Sequence, residues 1–377
     1  MSNSVIQPES TDNFDYFDQM SLGVKNGERL KLLTTLAEFV SLLEKRGVDG
    51  PRHLSQPNLD ARGVCVGSGA QFDVFIDNRG ARRDVVMKRV HRELIDQDST
   101  AISNDQQLRS HLRTLQVEII SLCRPSIQKH RNIVDLVAWG YDYPTSDLTM
   151  LLPVLIMERA TCSLHEILCG KRDFSQGSLS VEVRHHLCLD VAEGLSCIHS
   201  CNIIHGDVKP QNVLVFEQDE PKVPYIGKLS DFGLCVALEE PQSVSFKSYL
   251  GTEGWKPPEA SCYQAEVHGE FSPELLYKSD SFSYGLLVLS VLITTGQLPF
   301  DNSQLHEYAQ PYERAIELIQ GGDHQDLPLS LQARLEGLCR AVLKLRPRDR
   351  ADISSQLLAD RSQSYTNWYD HFFLLLL

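Results

Sequence analysis

One stretch constrains this chain more than any other: His205-Gly206-Asp207-Val208-Lys209-Pro210-Gln211-Asn212, answered downstream by Asp231-Phe232-Gly233. Asp207 can accept a hydrogen bond from an attacking hydroxyl. Lys209 can neutralise charge on a phosphate in motion, and Asn212 and Asp231 offer hard oxygen ligands of the kind Mg²⁺ prefers. Asn212 opens the apolar run Val213-Leu214-Val215-Phe216, which reads as a strand. Glu217 to Pro224 reads as a lengthened hairpin loop, and Ile226 to Leu229 as the returning strand that presents Asp231. A fold that serves these residues must bring a loop and the end of a hairpin to one place.

Before this stretch the texture is mostly β. Gly63-Val64-Cys65-Val66-Gly67-Ser68-Gly69 followed by Phe72-Asp73-Val74-Phe75-Ile76 reads as strand, glycine turn, strand. Glycines there let backbone N–H groups approach phosphates with no Cβ in the way. Val85-Val86-Met87-Lys88 is an apolar strand ending in a cation, and Val154-Leu155-Ile156-Met157-Glu158-Arg159-Ala160 is a buried strand ending in a polar connector. Asp96 to Gln107 is polar and reads as an inserted loop, after which Leu112, Leu115, Val117, Ile119, Ile120 and Leu122 mark a helix carrying Glu118. Beyond Ala160 the texture is helical: Leu187, Val191, Leu195 and Ile198 share one face of a helix over Val181 to Ser200, and Leu286 to Ile293 is apolar all round, as in a buried helix. Upstream, Leu30, Leu33, Leu36, Phe39, Val40 and Leu43 space an amphipathic helix from about Asn26 to Lys45, expected to pack on the neighbouring domain or to bind a partner.

The motif H-x-D-x-K-x-x-N…D-F-G resembles that of the eukaryotic protein kinases, in its serine/threonine form. Further residues extend the resemblance from about Val66 to Arg350. These are Gly67 and Gly69 with Val74, Val85-Val86-Met87-Lys88, Glu118, His130-Arg131-Asn132-Ile133-Val134, Gly251-Thr252-Glu253-Gly254-Trp255, Pro257-Pro258-Glu259, Asp280 and Pro347-Arg348-Asp349-Arg350. The resemblance implies an α+β, two-lobed kinase fold with a small, mostly β N-lobe bearing one regulatory helix and a larger, mostly α C-lobe. The N-lobe would fall at about 59–158 and the C-lobe at about 161–360, with an N-terminal extension over 1–58 and a tail over 361–377.

The resemblance also implies ATP and Mg²⁺ as cofactors and a protein as substrate. Asp207, Lys209, Lys88 and Glu118 would form the catalytic set, with Glu118 pairing Lys88. Val66, Gly67, Ser68, Gly69, Val74, Val86 and Lys88 would surround the nucleotide. Met157 would be the gatekeeper, backbone groups of Glu158 and Ala160 would meet the adenine edge, Leu214 would support it, and Asn212 and Asp231 would hold the metal. Glu259 would pair with Arg350, and Leu234 to Leu250 would be the activation segment, with Ser243, Ser245, Ser248 and Tyr249 as candidate phosphosites.

Three departures stand out. Phe72 occupies the place of the family's third glycine, making the loop tip bulkier. Val86 replaces the alanine beneath the adenine. Gly206 replaces the arginine that grips a phosphate on the activation segment, so activity is expected not to require phosphorylation there. Phe72 and Val86 support the alternative of a catalytically weak pseudokinase that binds nucleotide as a scaffold. A small-molecule kinase is disfavoured by the segment through Pro257-Pro258-Glu259. The net charge of −14 argues against nucleic acid as a partner. The polar, acidic Met1 to Asp18, the absence of an apolar run long enough to span a bilayer, and 10 cysteines without a C-x-x-C pair give the expectation of a cytoplasmic protein with reduced thiols.

Overall fold

The computed structural model describes residues 37–45, 47–48, 53–54, 63–68, 72–76, 84–90, 101–142, 152–171, 179–219, 223–238, 245–260, 271–300, 309–322 and 326–353. Gly69, Ser243 and the tail over 361–377 lie outside these residues. The chain divides into two compact units, Met1–Gln116 with Val137–Met157 and Val117–Leu136 with Glu158–Leu377.

The first unit is built on a six-stranded sheet of order β1-β5-β6-β4-β3-β2. Its strands are β1 (His53–Leu54), β2 (Val64–Ser68), β3 (Phe72–Ile76), β4 (Val85–Val90), β5 (Leu136–Asp142) and β6 (Leu152–Glu158). The pairs β2/β3 and β3/β4 are antiparallel, with Gly67 opposite Val74 and Val74 opposite Lys88. Strand β1, which carries no sequence signal, adds a parallel edge beside β5. Every residue of β6 up to Met157 is buried, as its unbroken apolar run requires. Val85, Met87, Val154 and Ile156 pack together from β4 and β6. Helix α1 (residues 37–45) buries Phe39 and Leu43, and Phe39 stands edge-on to Trp139 of β5 with ring centroids 5.8 Å apart.

Helix α2 (Ala101–Leu122) starts inside the stretch expected to be loop. Polarity there is a misleading signal, because Ala101, Gln106 and Gln107 are good helix formers and a polar run is compatible with a helix. Residues 117–136 belong to the second unit through hydrogen bonds to its hairpin: Asn132 Nδ2 donates to Gly227 O, and Val134 N to Leu229 O.

The second unit is mostly helical. Short strands β7 (Cys162–Ser163), β9 (Val213–Glu217) and β10 (Tyr225–Leu229) form one small sheet, and β8 (Ile203–Ile204) with β11 (Val236–Ala237) another. Among its helices are α3 (Leu164–Leu168), α4 (Val181–Ser200), α5 (Leu275–Leu292), α6 (Pro311–Gly321) and α7 (Leu329–Val342). Ser180 caps α4 by accepting from Val183 N, and Leu187, Val191, Leu195 and Ile198 are buried along it, as their spacing required. Asp280 to Gly285 lie inside α5, whose first turn is at Leu275, so the helix begins well before its apolar run. Polar residues pass through this buried helix because their side chains find partners: Ser281 Oγ donates to Tyr277 O at 3.1 Å, and Ser279 Oγ to the Glu259 carboxylate at 2.8 Å. No helix among the described residues is long and apolar enough to cross a membrane.

Candidate active site

Strand β8 delivers the chain to a loop whose polar groups are almost wholly internal to the protein. His205 is fully buried. Its Nδ1 accepts from Asp207 N at 3.3 Å and its Nε2 lies 3.1 Å from Ser230 O, a pair of contacts met by the neutral ring with its proton on Nε2. Asp280 of α5 receives the loop backbone: Oδ2 accepts from His205 N at 2.7 Å and Oδ1 from Gly206 N at 3.1 Å. His199 Nε2 lies 2.8 Å from Oδ2. Burial pushes the Asp280 carboxyl up, but the hydrogen bond and charge of His199, with help from His205, outweigh it and hold the group below the usual carboxylate range.

Asp207 is buried and its carboxylate is held from three sides. Oδ2 accepts from Lys209 Nζ at 2.7 Å and Asn212 Nδ2 at 2.9 Å, and Oδ1 from Thr252 Oγ1 at 2.7 Å. Lys209 Nζ also donates to Thr252 Oγ1 at 2.5 Å, closing a ring of three residues. Asn212 Nδ2 makes a second bond, to Asp207 O at 2.8 Å, so the amide oxygen faces away from Asp207. The Asn212 carbonyl accepts from both Ser230 N and Ser230 Oγ, which ties the loop to the residue before Asp231. Asp231 is exposed and left-handed, with φ 61°, a conformation that an Asp tolerates better than most residues. Asp207, Lys209 and Asn212, chosen from sequence, therefore belong to one connected network that Thr252 joins from far along the chain, and Asp231 follows directly on Ser230, which is tied to Asn212.

Gly206 also has positive φ, +80°, and a Cβ built on it would lie 2.5 Å from Leu234 O. The backbone leaves no room for the arginine that the family often carries here. Gly206→Ala is expected to destabilise the protein by about 1–3 kcal/mol, from left-handed strain and a backbone clash. Urea unfolding measures this; an unchanged midpoint would show that the loop has another conformation.

The remaining candidates divide between the two units. Lys88 is buried on β4, and its Nζ lies 5.0 Å from the centroid of the Phe72 ring. Phe72 does not enlarge the loop tip as expected. It is buried, edge-on to His111 of α2 with centroids 5.9 Å apart. A benzyl group facing the apolar side of β3 is driven inward where a glycine would leave space. Val66, Gly67, Val74 and Val86 are half-buried on β2 to β4, Ser68 is exposed, and Met157 is buried at the end of β6. In the second unit, Glu118 is fully buried on α2, while Ala160 and Leu214 are half-buried. Glu158 is engaged on both ends: its N–H donates to Asp135 O, and its carboxylate accepts from Asp135 N and Lys228 Nζ, each at 2.7 Å. Tyr249, expected as a phosphosite, is buried. Sequence reasoning missed the role of Asp280 as the loop's partner and of His199 and Tyr249 as partners of Asp280, since nothing local to those residues announces a hydrogen bond to a segment so distant in the chain.

The protein kinase domain model matches residues 62–360, most of the chain. The chain belongs to the protein kinase family. Its small mostly β unit and larger mostly α unit have the α+β composition of that fold. Among similar proteins, the serine/threonine-protein kinase STY46 of Arabidopsis thaliana is 28% identical over 48% of this chain and 27% of its own length. The receptor-like serine/threonine-protein kinase ALE2 of the same plant is 31% identical over 54% of this chain and 23% of its own length. A probable serine/threonine-protein kinase of Clostridium perfringens, CPE1738, is 24% identical over 78% of this chain and 37% of its own length. The chain thus spans well under half the length of these relatives.

Proposed function

We propose that this chain is an active protein kinase that transfers the γ-phosphoryl group of ATP to serine or threonine hydroxyls of protein substrates. The observation that carries the reading is the Asp207 carboxylate, held at once by Lys209, Asn212 and Thr252. A carboxylate so fixed can orient a substrate hydroxyl and accept its hydrogen bond, while Lys209 stands beside it to meet developing negative charge. Phosphoryl transfer asks for this kind of positioning and charge stabilisation rather than for a covalent intermediate.

The residues present fit a magnesium ion. Asn212 has its amide nitrogen committed to Asp207, so an amide oxygen remains for a cation, and the exposed Asp231 adds a carboxylate. A bound magnesium ion would neutralise charge across the β- and γ-phosphates. Lys88 is assigned to the α- and β-phosphates, and Glu118 to the catalytic set with it. Backbone groups of Glu158 and Ala160 are assigned to the adenine edge, with Val66, Gly67, Ser68, Gly69, Val74, Val86, Met157 and Leu214 around the nucleotide.

A second reading, a nucleotide-binding scaffold with little turnover, draws on the Phe72 ring beneath the Lys88 ammonium. A two-part assay separates them: Mg-ATP binding by thermal shift, and transfer to a generic basic protein before and after phosphatase treatment. The expected outcome is a shift with magnesium present and transfer onto serine or threonine that survives phosphatase, because Gly206 offers no cation to grip a phosphate. A nucleotide-induced shift without transfer would establish the scaffold instead.

A further inference from the structure

Tyr249 lies in the run Phe246-Lys247-Ser248-Tyr249-Leu250, where its neighbour Leu250 is 59% exposed, yet Tyr249 itself is 1% exposed. Its ring packs with Ile204 and Leu276. A phenol at that depth needs partners for its hydroxyl. It donates to Asp280 Oδ1 at 3.1 Å and, with its proton so placed, accepts from Ser283 Oγ at 2.9 Å. Asp280 Oδ1 is the same atom that accepts from Gly206 N, and the other oxygen accepts from His205 N. Tyr249 and the loop leading into Asp207 therefore hang on one carboxylate.

A little further along, Thr252 Oγ1 donates to Asp207. Gly251 joins the two anchors with φ +47°, and a Cβ there would lie 3.2 Å from Tyr249 Cε1 and 3.3 Å from Gly206 O. The segment 249–252 is thus tied to Asp280 at its Tyr249 end and to Asp207 at its Thr252 end. We propose that Tyr249 is a positioning residue: its hydroxyl, held by Asp280, sets where Thr252 meets Asp207, and so seats this end of the activation segment without a phosphate. The proposal rests on the reading of Asp207 as the group that orients the substrate hydroxyl. The depressed carboxyl of Asp280 keeps an anion under the phenol, the strongest acceptor a neutral O–H can find. Phosphorylation of Tyr249 would set a dianion against that buried carboxylate, so the same geometry removes Tyr249 from the modifiable residues.

The test compares full-length Tyr249→Phe, Thr252→Ala and the double variant with the parent. Phenylalanine keeps the ring packing and deletes only the hydroxyl. The expected result for Tyr249→Phe is a fall of about tenfold or more in kcat, counted per nucleotide-binding molecule, with KM for ATP unchanged. The double variant is expected to be no slower than Thr252→Ala alone, because both changes release the same tie. A phenol that merely stabilised the fold would leave kcat per binding-competent molecule at the parent value. Hydrogen exchange of peptides covering 203–209 and 249–254 is expected to quicken in Tyr249→Phe. Parental kcat and parental exchange together would overturn the proposal, as would losses that multiply in the double variant. Should Tyr249→Phe not fold, Ser283→Ala removes the phenol's other partner and is expected to lower kcat in the same direction, so an unchanged kcat there overturns it. If the parent transfers no phosphate, the kinase reading fails on its own account; faster exchange in Tyr249→Phe would still support the anchor, and unchanged exchange would still sink it.

Discussion

Asp231→Asn should abolish phosphoryl transfer, lowering kcat by about a thousandfold or more, while leaving the unfolding midpoint nearly where it was. The two halves of this expectation have separate causes. Asp231 is exposed and has φ 61°, and asparagine is among the few residues that enter the left-handed region at little cost. The backbone that places residue 231 beside Ser230, and through Ser230 beside the Asn212 carbonyl, therefore survives the substitution. What disappears is one negative charge from the proposed pair of metal ligands, and a neutral amide is a poorer partner for a hard divalent cation. Steady-state transfer to a basic protein, paired with a thermal melt, measures both. Comparable rates in variant and parent would mean that the metal lies elsewhere, and a large fall in the melting temperature would mean that Asp231 is a structural residue.

Arg350→Met should destabilise the protein more than any other of these substitutions, costing about 3–5 kcal/mol in an equilibrium denaturation. Arg350 and Glu259 are buried with no exposed side-chain surface, in a bidentate pair with contacts of 2.6 and 2.7 Å. The guanidinium also donates to the carbonyls of Lys344, Leu345 and Lys278, and it lies 4.8 Å from the centroid of the Phe282 ring. Methionine fills the volume but leaves a buried carboxylate and several carbonyls without their donor. Lysine should not rescue it, since a single ammonium cannot reproduce the planar fork. Replacing both partners, as Glu259→Gln with Arg350→Met, should recover part of the loss, because the isolated charge is then gone. A loss below about 1 kcal/mol for Arg350→Met would show that the pair is open to water and screened.

Much of the candidate site was legible before any fold was known. The offsets from Asp207 to Lys209 and Asn212 are short enough for one loop to satisfy them, and the hairpin of β9 and β10 follows from an apolar run on each side of a polar loop. The helix over Val181–Ser200 is legible in the same way, from its apolar spacing and its Ser180 cap. Other features were not. The start of α2 was hidden because polarity alone does not distinguish a loop from a helix. The inward turn of Phe72 was hidden because a motif position says which residue is unusual but not which way its ring will point.

By itself, the order of residues determined the family, most of the local elements, the short-range spacing of Asp207, Lys209 and Asn212, and the hairpin that leads to Asp231, because those depend on periodicity, strand length and offsets within a loop or hairpin. Tertiary structure alone decided that Thr252 closes on Asp207, that Asp280 carries the backbone of His205 and Gly206, and that Tyr249 is buried on the same carboxylate. The physical reason is that these bonds join segments far apart in the chain. Their partners are chosen by the packing of α5 under the loop, where a buried polar group must find whichever complementary group the fold has placed within reach.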